Sequence, residues 1–204
     1  MTFKFLLKFI VVPLLATALL GMAGCKQASD SAASGTPTTP ISIAAIAAEA
    51  KGFSVGSSVS ARTVYVFFDA QCPHCGELWK AAKPLKSQAR FVWIPVGILN
   101  PSSTSQGAAL LAASDPVAAM DAHEASLLAG QGGMTAAGAS DALKAVVAKN
   151  TELFNRFGFA SIPTIVALNA QSGALVTQEG AMPTPALATF LGLPLPAAPP
   201  ATPG

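Results

Sequence analysis

The tetrapeptide Cys72-Pro73-His74-Cys75 constrains the fold of this chain more than any other segment. An apolar run of strand length, residues 62–68, precedes it, and a helix-like run, residues 76–82, follows it. Two thiols separated by two residues can close and reopen a small disulfide ring. Free N–H groups at the start of a helix favour a thiolate, which is the attacking species in disulfide exchange. We therefore expect redox chemistry at this strand-to-helix junction.

The first 24 residues have the layout of an export signal. A basic start is followed by an apolar run from Phe9 to Ala23, which is shorter than the ~20 residues that span a bilayer. The segment Leu20-Gly21-Met22-Ala23-Gly24-Cys25 resembles the lipobox of bacterial lipoproteins, in which the cysteine is acylated and becomes the first mature residue. This resemblance implies a lipid anchor on Cys25. Ordinary cleavage near Ala23, which would leave Cys25 as a free thiol, is the alternative.

Low-complexity segments are predicted on both sides of one folded domain. Residues 25–40 are rich in small and polar residues, which is typical of a flexible tether, and residues 194–204 form a disordered tail rich in Pro and Ala. The domain is expected to cover residues 41–193. Loss of Lys4 and Lys8 with the signal would bring the 12 basic side chains into balance with the 10 acidic ones. The absence of a basic cluster from the sequence argues against nucleic-acid binding.

Secondary-structure patterns predict an α/β domain. Residues 41–50 have helical composition, and the helix that begins at the cysteine motif is expected to run to about Gln88 with an interruption at Pro84. Residues 91–99 form a second buried strand, in which Pro95 marks a bulge or the end. A strand, a helix and a strand in this order predict a parallel pair with the helix packed on the sheet.

The second half of the domain is predicted to be a helical block followed by a hairpin. Residues 103–158 are rich in alanine and indicate helices, with a start at Asp115-Pro116 and a break at residues 130–133. Residues 164–168 and 174–178 indicate two strands joined by a short turn, and residues 185–191 a final short helix.

The segment Ser161-Ile162-Pro163-Thr164 stands directly before the first hairpin strand. A proline at the first residue of a strand costs no ladder hydrogen bond, so Pro163 can simply mark the start of the strand. Alternatively, a cis bond between Ile162 and Pro163 would expose the backbone of Ile162 to a substrate peptide. The residues alone leave both interpretations open.

The segment FFDAQCPHC, the helix after it and SIPT before a hairpin together resemble the thioredoxin superfamily. They are most similar to the catalytic domain of the DsbC/DsbG group of periplasmic thiol-disulfide interchange proteins. The resemblance implies a thioredoxin-like fold with a helical insertion between the second strand and the cis-proline hairpin. It implies an exposed nucleophile at Cys72, a buried resolving thiol at Cys75, a redox disulfide between them, a cis Pro163 facing them and no bound cofactor. Pro73 and His74 are the tuning residues, and an imidazole at His74 is expected to stabilise the Cys72 thiolate.

Three departures from that family pattern matter. Thioredoxin keeps a buried acid six positions before its first cysteine, where this chain has Val66, so any proton relay must use another group or water. Residues 26–61 are too short for the dimerisation domain of the DsbC/DsbG group, which favours a monomer. The CPHC motif is typical of DsbA-type oxidases, which leaves the direction of electron flow open.

The resulting hypothesis is a lipid-anchored disulfide oxidoreductase facing the periplasm, on either the inner or the outer membrane. Its expected partners are envelope proteins with thiols or disulfides and a membrane electron donor of the DsbD type. The alternatives are a copper metallochaperone that uses the same two cysteines and a non-catalytic binding lipoprotein. No metal site is predicted in the enzyme, and His123 is expected at the surface or packed between helices.

Overall fold

The computed structural model describes residues 39–196. The predicted export signal, Cys25 and nearly all of the predicted tether lie outside the described residues, as does most of the predicted tail. No helix within residues 39–196 has both the length and the apolar composition to cross a membrane.

One mixed five-stranded sheet in the order β1-β3-β2-β4-β5 forms the centre of the domain. The strands are β1 (Phe53–Gly56), β2 (Thr63–Asp69), β3 (Arg90–Val96), β4 (Thr164–Leu168) and β5 (Leu175–Glu179). Strands β2 and β3 are parallel, as the sequence predicted, and the other three pairs are antiparallel. The sequence did not predict β1, which is only four residues long and covers the outer edge of β3.

Residues 39–196 form six α-helices in addition to the sheet. They are α1 (Ile43–Glu49), α2 (Pro73–Ala82), α3 (Pro101–Ala112), α4 (Pro116–Leu128), α5 (Asp141–Arg156) and α6 (Thr184–Leu191). Helices α3, α4 and α5 lie between β3 and β4 in sequence, which confirms the predicted helical insertion. Helix α4 begins where expected, because the Asp115 carboxylate accepts hydrogen bonds from the first backbone N–H groups of the helix.

Helix α2 ends earlier than predicted. It passes at Lys83 into a 3-10 turn, Lys83–Leu85, which contains Pro84. Proline lacks an N–H group and collides with the preceding helical turn, so an α-helix does not continue through it.

Aromatic side chains anchor the sheet and α2 to each other. On one face of β2, Phe68 packs edge-on against Trp93, and Trp93 packs against Trp79 of α2 with ring centroids 5.0 Å apart. On the other face, Phe67 packs against Phe154 of α5. Edge-to-face aromatic pairs add about 0.5–1.5 kcal/mol beyond the burial of their apolar area. This aromatic packing therefore fixes the end of β2 against helix α2.

Candidate active site

The two cysteines lie at the junction of β2 and α2. Cys72 is the N-cap residue of α2, and Pro73 occupies the first helical position, where its missing N–H costs no hydrogen bond. The Cys72 N–H donates to the carbonyl of Asp69 at 3.0 Å, and the Cys75 N–H donates to the carbonyl of Cys72 at 3.0 Å. This tight turn places both side chains at the C-terminal end of the central strand.

Both sulfurs are buried, which corrects the expectation of an exposed Cys72. Cys72 keeps 4% of its surface and Cys75 keeps none. The Cys72 Sγ atom lies 3.9 Å from the carbonyl oxygen of Ile162, so the proline loop covers it. The peptide bond between Ile162 and Pro163 is cis, as the resemblance implied.

The local environment separates the pKa values of the two thiols. A hydrogen bond from the Cys75 thiol is the largest of the influences that lower the pKa of Cys72 to about 7, against the opposing effect of burial. Backbone N–H groups of Cys75 and His74 at the helix start act in the same direction. Burial raises the pKa of Cys75 well above its ordinary value. Near neutral pH, about half of the Cys72 side chains are therefore thiolates, whereas Cys75 keeps its proton.

His74 has a smaller influence on Cys72 than the sequence suggested. Its side chain is exposed, and its Nδ1 atom lies 3.0 Å from the Glu77 Oε2 atom. The hydrogen bond and charge of Glu77 raise the pKa of His74. The positive charge of His74 lowers the pKa of Cys72, but it is the smallest of the influences on that thiol. The helix N-terminus and Cys75 therefore lower the pKa of Cys72 more than His74 does.

A buried carboxylate fixes the loop in front of the cysteines. Asp69 is fully buried, and its Oδ1 atom accepts a hydrogen bond from the Gln71 N–H at 2.9 Å. Its Oδ2 atom accepts from the N–H groups of Ile98 and Leu99 at 2.8 and 3.0 Å. Because Ile98 and Leu99 follow β3, this one side chain joins the ends of both central strands beside the dithiol.

His123 supports the same loop and is not at the surface. Its side chain is fully buried, its Nε2 atom contacts the carbonyl oxygen of Ala70, and its Nδ1 atom accepts from the Met134 N–H at 3.0 Å. Burial lowers the pKa of His123 and favours the neutral ring that both bonds require. The alanine-rich helix α4 offers little contrast between its faces, so the sequence did not show which side is buried.

Glu124 on α4 was not predicted from the sequence, and it is only 3% exposed. Its carboxyl group lies against Gly76, the residue after Cys75. Burial, and then the negative charge of Cys72, raise the pKa of Glu124 to about 7. A glycine inside a helix costs about 1 kcal/mol relative to alanine. Gly76 was therefore the one local signal that another group approaches α2 at this point.

The dithiol is not part of a larger cluster of metal-binding side chains. Within residues 39–196, no group of three or more His, Cys, Asp or Glu side chains has an arrangement that could hold a metal ion. Cys72 and Cys75 together offer two sulfur ligands.

Comparison with known proteins places this geometry in a known group. The chain is 37% identical over 145 residues to the thiol:disulfide interchange protein DsbG of Pseudomonas aeruginosa. The matched region covers 67% of this chain and 54% of that protein. The chain thus spans about half the length of that relative.

Solved structures show the same fold at lower sequence identity. A periplasmic thioredoxin-like protein from Salmonella enterica serovar Typhimurium superposes with a TM-score of 0.58 at 17% identity, covering 76% of this chain and 97% of that one. The catalytic domain of Proteus mirabilis ScsC superposes with a TM-score of 0.55 at 18% identity, covering 73% and 96%. The family described as a thioredoxin-like domain matches residues 57–193, which include both cysteines and the cis proline. This chain belongs to the thioredoxin-like domain family.

Proposed function

We propose that this protein is a thiol-disulfide oxidoreductase of the bacterial cell envelope. The observation that carries the proposal is the difference between its two sulfurs. Cys72 has a pKa of about 7 and retains a little exposure, whereas Cys75 is fully buried with a raised pKa. In a dithiol of this kind, one sulfur attacks the substrate disulfide and the other later resolves the mixed disulfide. The similarity to a thiol:disulfide interchange protein supports the same chemistry.

The reaction takes two exchange steps. The Cys72 thiolate attacks one sulfur of a substrate disulfide, a mixed disulfide forms, and the other substrate sulfur leaves as a thiolate that takes up a proton. Cys75 then loses its proton and attacks the Cys72 sulfur. The bond between Cys72 and the substrate breaks, and the second substrate sulfur leaves with that electron pair. The substrate gains two electrons, and the protein is left with the Cys72–Cys75 disulfide. In the reverse direction, the oxidised protein gives its disulfide to a substrate dithiol.

The proline loop is the proposed site for the substrate backbone. The Ile162 carbonyl lies 3.9 Å from the Cys72 Sγ atom, so a peptide that pairs with the backbone of Ile162 would place its own sulfur beside Cys72. Ile98 and Leu99 are 40% and 51% exposed, and they are held near the dithiol by Asp69. They offer an apolar contact for envelope proteins that expose a disulfide or a thiol.

We expect the protein to exchange electrons with a membrane donor of the DsbD type, as the family resemblance implies. We expect a monomer, because residues 26–61 are too short for the dimerisation domain of that family. We also propose a periplasmic location with a lipid anchor on Cys25, supported by the lipobox-like segment before it. The full chain should incorporate labelled fatty acid and fractionate with membranes, and Cys25→Ser should do neither. A chain that stays unlabelled and soluble would contradict the anchor without touching the redox proposal.

Insulin reduction separates the enzyme from the copper chaperone. The full chain, supplied with a small-thiol reductant, is expected to speed the reduction of insulin disulfides above the background set by that reductant. Titration of the reduced protein with Cu(I) against a competing chelator is expected to show no tight one-to-one complex. A protein that does not accelerate insulin reduction but binds Cu(I) tightly would instead support the chaperone. Inactivity in both assays would favour a non-catalytic binding protein.

A further inference from the structure

Glu124 is a buried acid with one unpaired carboxyl oxygen, as far as residues 39–196 show. Its side chain is 3% exposed, and its Oε1 atom has no hydrogen-bond partner among the described residues. A buried carboxyl oxygen that lacks a hydrogen bond destabilises the fold, because it has lost its contact with water. A group with such a cost and no structural bond needs another explanation.

The packing of α2 on α4 makes room for this carboxyl group beside the dithiol. A Cβ atom added to Gly76 would lie 2.8 Å from the Glu124 Cδ atom and would overlap Oε2. Any side chain at position 76 would therefore displace the carboxyl group. Because Gly76 directly follows Cys75, the glycine brings the acid against the helical turn that carries the resolving thiol.

The protonation state of Glu124 depends on the charge of the dithiol. The charge of Cys72 raises the pKa of Glu124, and the charge of Lys80, one turn further along α2, lowers it. Asp121, one turn earlier on α4, is bound by the indole N–H of Trp79 and by Lys83.

The two other buried titratable groups near the cysteines are already engaged. His123 uses both ring nitrogens on backbone groups of Ala70 and Met134. Asp69 accepts three backbone N–H groups in the loops that follow β2 and β3. Glu124 is therefore the buried acid in this region whose carboxyl group remains available for proton exchange.

We propose that Glu124 is the proton acceptor for the resolving step, which rests on the proposed disulfide exchange. While Cys72 is a thiolate, its negative charge favours the protonated form of Glu124. When Cys72 enters the mixed disulfide, that charge is lost and Glu124 ionises. The carboxylate then takes the proton of the Cys75 thiol as Cys75 attacks Cys72. The Cys72–substrate bond breaks, the substrate thiolate leaves with the electron pair, and Glu124 later returns its proton to solvent.

A proton acceptor on α4 also explains why no acid is needed at position 66, where this chain has Val66. The central strand has no acid at that position, and the side chain there is buried and apolar. The carboxyl group arrives instead from the inserted helix α4, on the side of α2 that Gly76 leaves open.

The test follows the two exchange steps separately in the full chain. Reduced wild type, Glu124→Gln and the exposed control Glu152→Gln are mixed with oxidised glutathione and quenched with acid. Mass spectrometry then measures the formation and the decay of the mixed disulfide. In Glu124→Gln, decay should be slower on the order of 10²-fold at pH 7, which is the lower range for loss of a general base. The deficit should shrink as pH rises and Cys75 ionises unaided. The control should match wild type.

A second readout separates proton transfer from a structural role. The ultraviolet absorbance of the Cys72 thiolate should titrate at lower pH in Glu124→Gln, because a neighbouring negative charge has been removed. Glu124→Asp, which keeps the acid, should recover part of the rate of decay. If Glu124→Gln does not fold, Glu124→Met provides an apolar side chain of similar length for the same measurements.

Each outcome decides between the proposals. Equal decay rates in Glu124→Gln and wild type, or a slowing that is the same at every pH, would overturn the role of Glu124. Failure of the wild type itself to form a mixed disulfide would instead overturn the proposed function.

Discussion

Replacing Cys72 with serine is expected to abolish disulfide exchange, with a loss of turnover of at least about 10³-fold, as when an enzyme loses its nucleophile. A thiolate attacks a disulfide, but a serine hydroxyl stays protonated near neutral pH and does not. Cys75 cannot replace it, because its sulfur is fully buried and its pKa is raised well above the ordinary value. The protein should keep its fold, since the substitution changes one atom at the helix N-cap.

The measurement is insulin reduction by the full chain, with circular dichroism to check that the protein is folded. Cys25→Ser is the matched control, because it makes the same chemical change outside the dithiol and should keep the wild-type rate. Substantial turnover by Cys72→Ser would show that Cys75 is the attacking thiol. Our assignment of the two roles would then be wrong.

Much of the arrangement around these cysteines could be predicted from local patterns. The apolar run that became β2 and the helix-like run after the CPHC motif located the strand-to-helix junction. Proline positions marked the interruption of α2 and the start of α4. These signals lie within a few residues of the structure they specify, so a single sequence carries them.

Features created by contacts between distant segments could not be predicted in this way. The cover over Cys72 comes from Ile162, 90 positions along the chain. His123 and Glu124 lie on α4, where alanines on several faces conceal the side that meets the site. Strand β1 has four residues and depends on its pairing with β3. The buried Glu124 reaches α2 from an inserted helix, which no local spacing rule indicates.

Replacing Cys75 with serine is expected to trap the first intermediate. Cys72 should still attack a substrate disulfide, but no second thiol can attack the mixed disulfide, so the covalent complex accumulates. Turnover should fall to the slow rate at which an external thiol releases the substrate. The complex should appear on non-reducing gels and disappear with reductant. Absence of any complex from Cys75→Ser, with Cys72 intact, would contradict the two-step mechanism.

The choice of replacement at Cys75 tests why Cys72 is reactive. The largest of the influences that lower the pKa of Cys72 is the hydrogen bond from the Cys75 side chain. Serine keeps an O–H donor at that position, whereas alanine removes it. The alkylation rate of Cys72 follows its thiolate fraction, so in wild type it should rise with pH through a midpoint near 7. Cys75→Ser should stay close to this midpoint, whereas Cys75→Ala should shift it upward and react more slowly at neutral pH. Equal midpoints in both variants would show that the backbone N–H groups of α2 lower the pKa of Cys72 without help from Cys75.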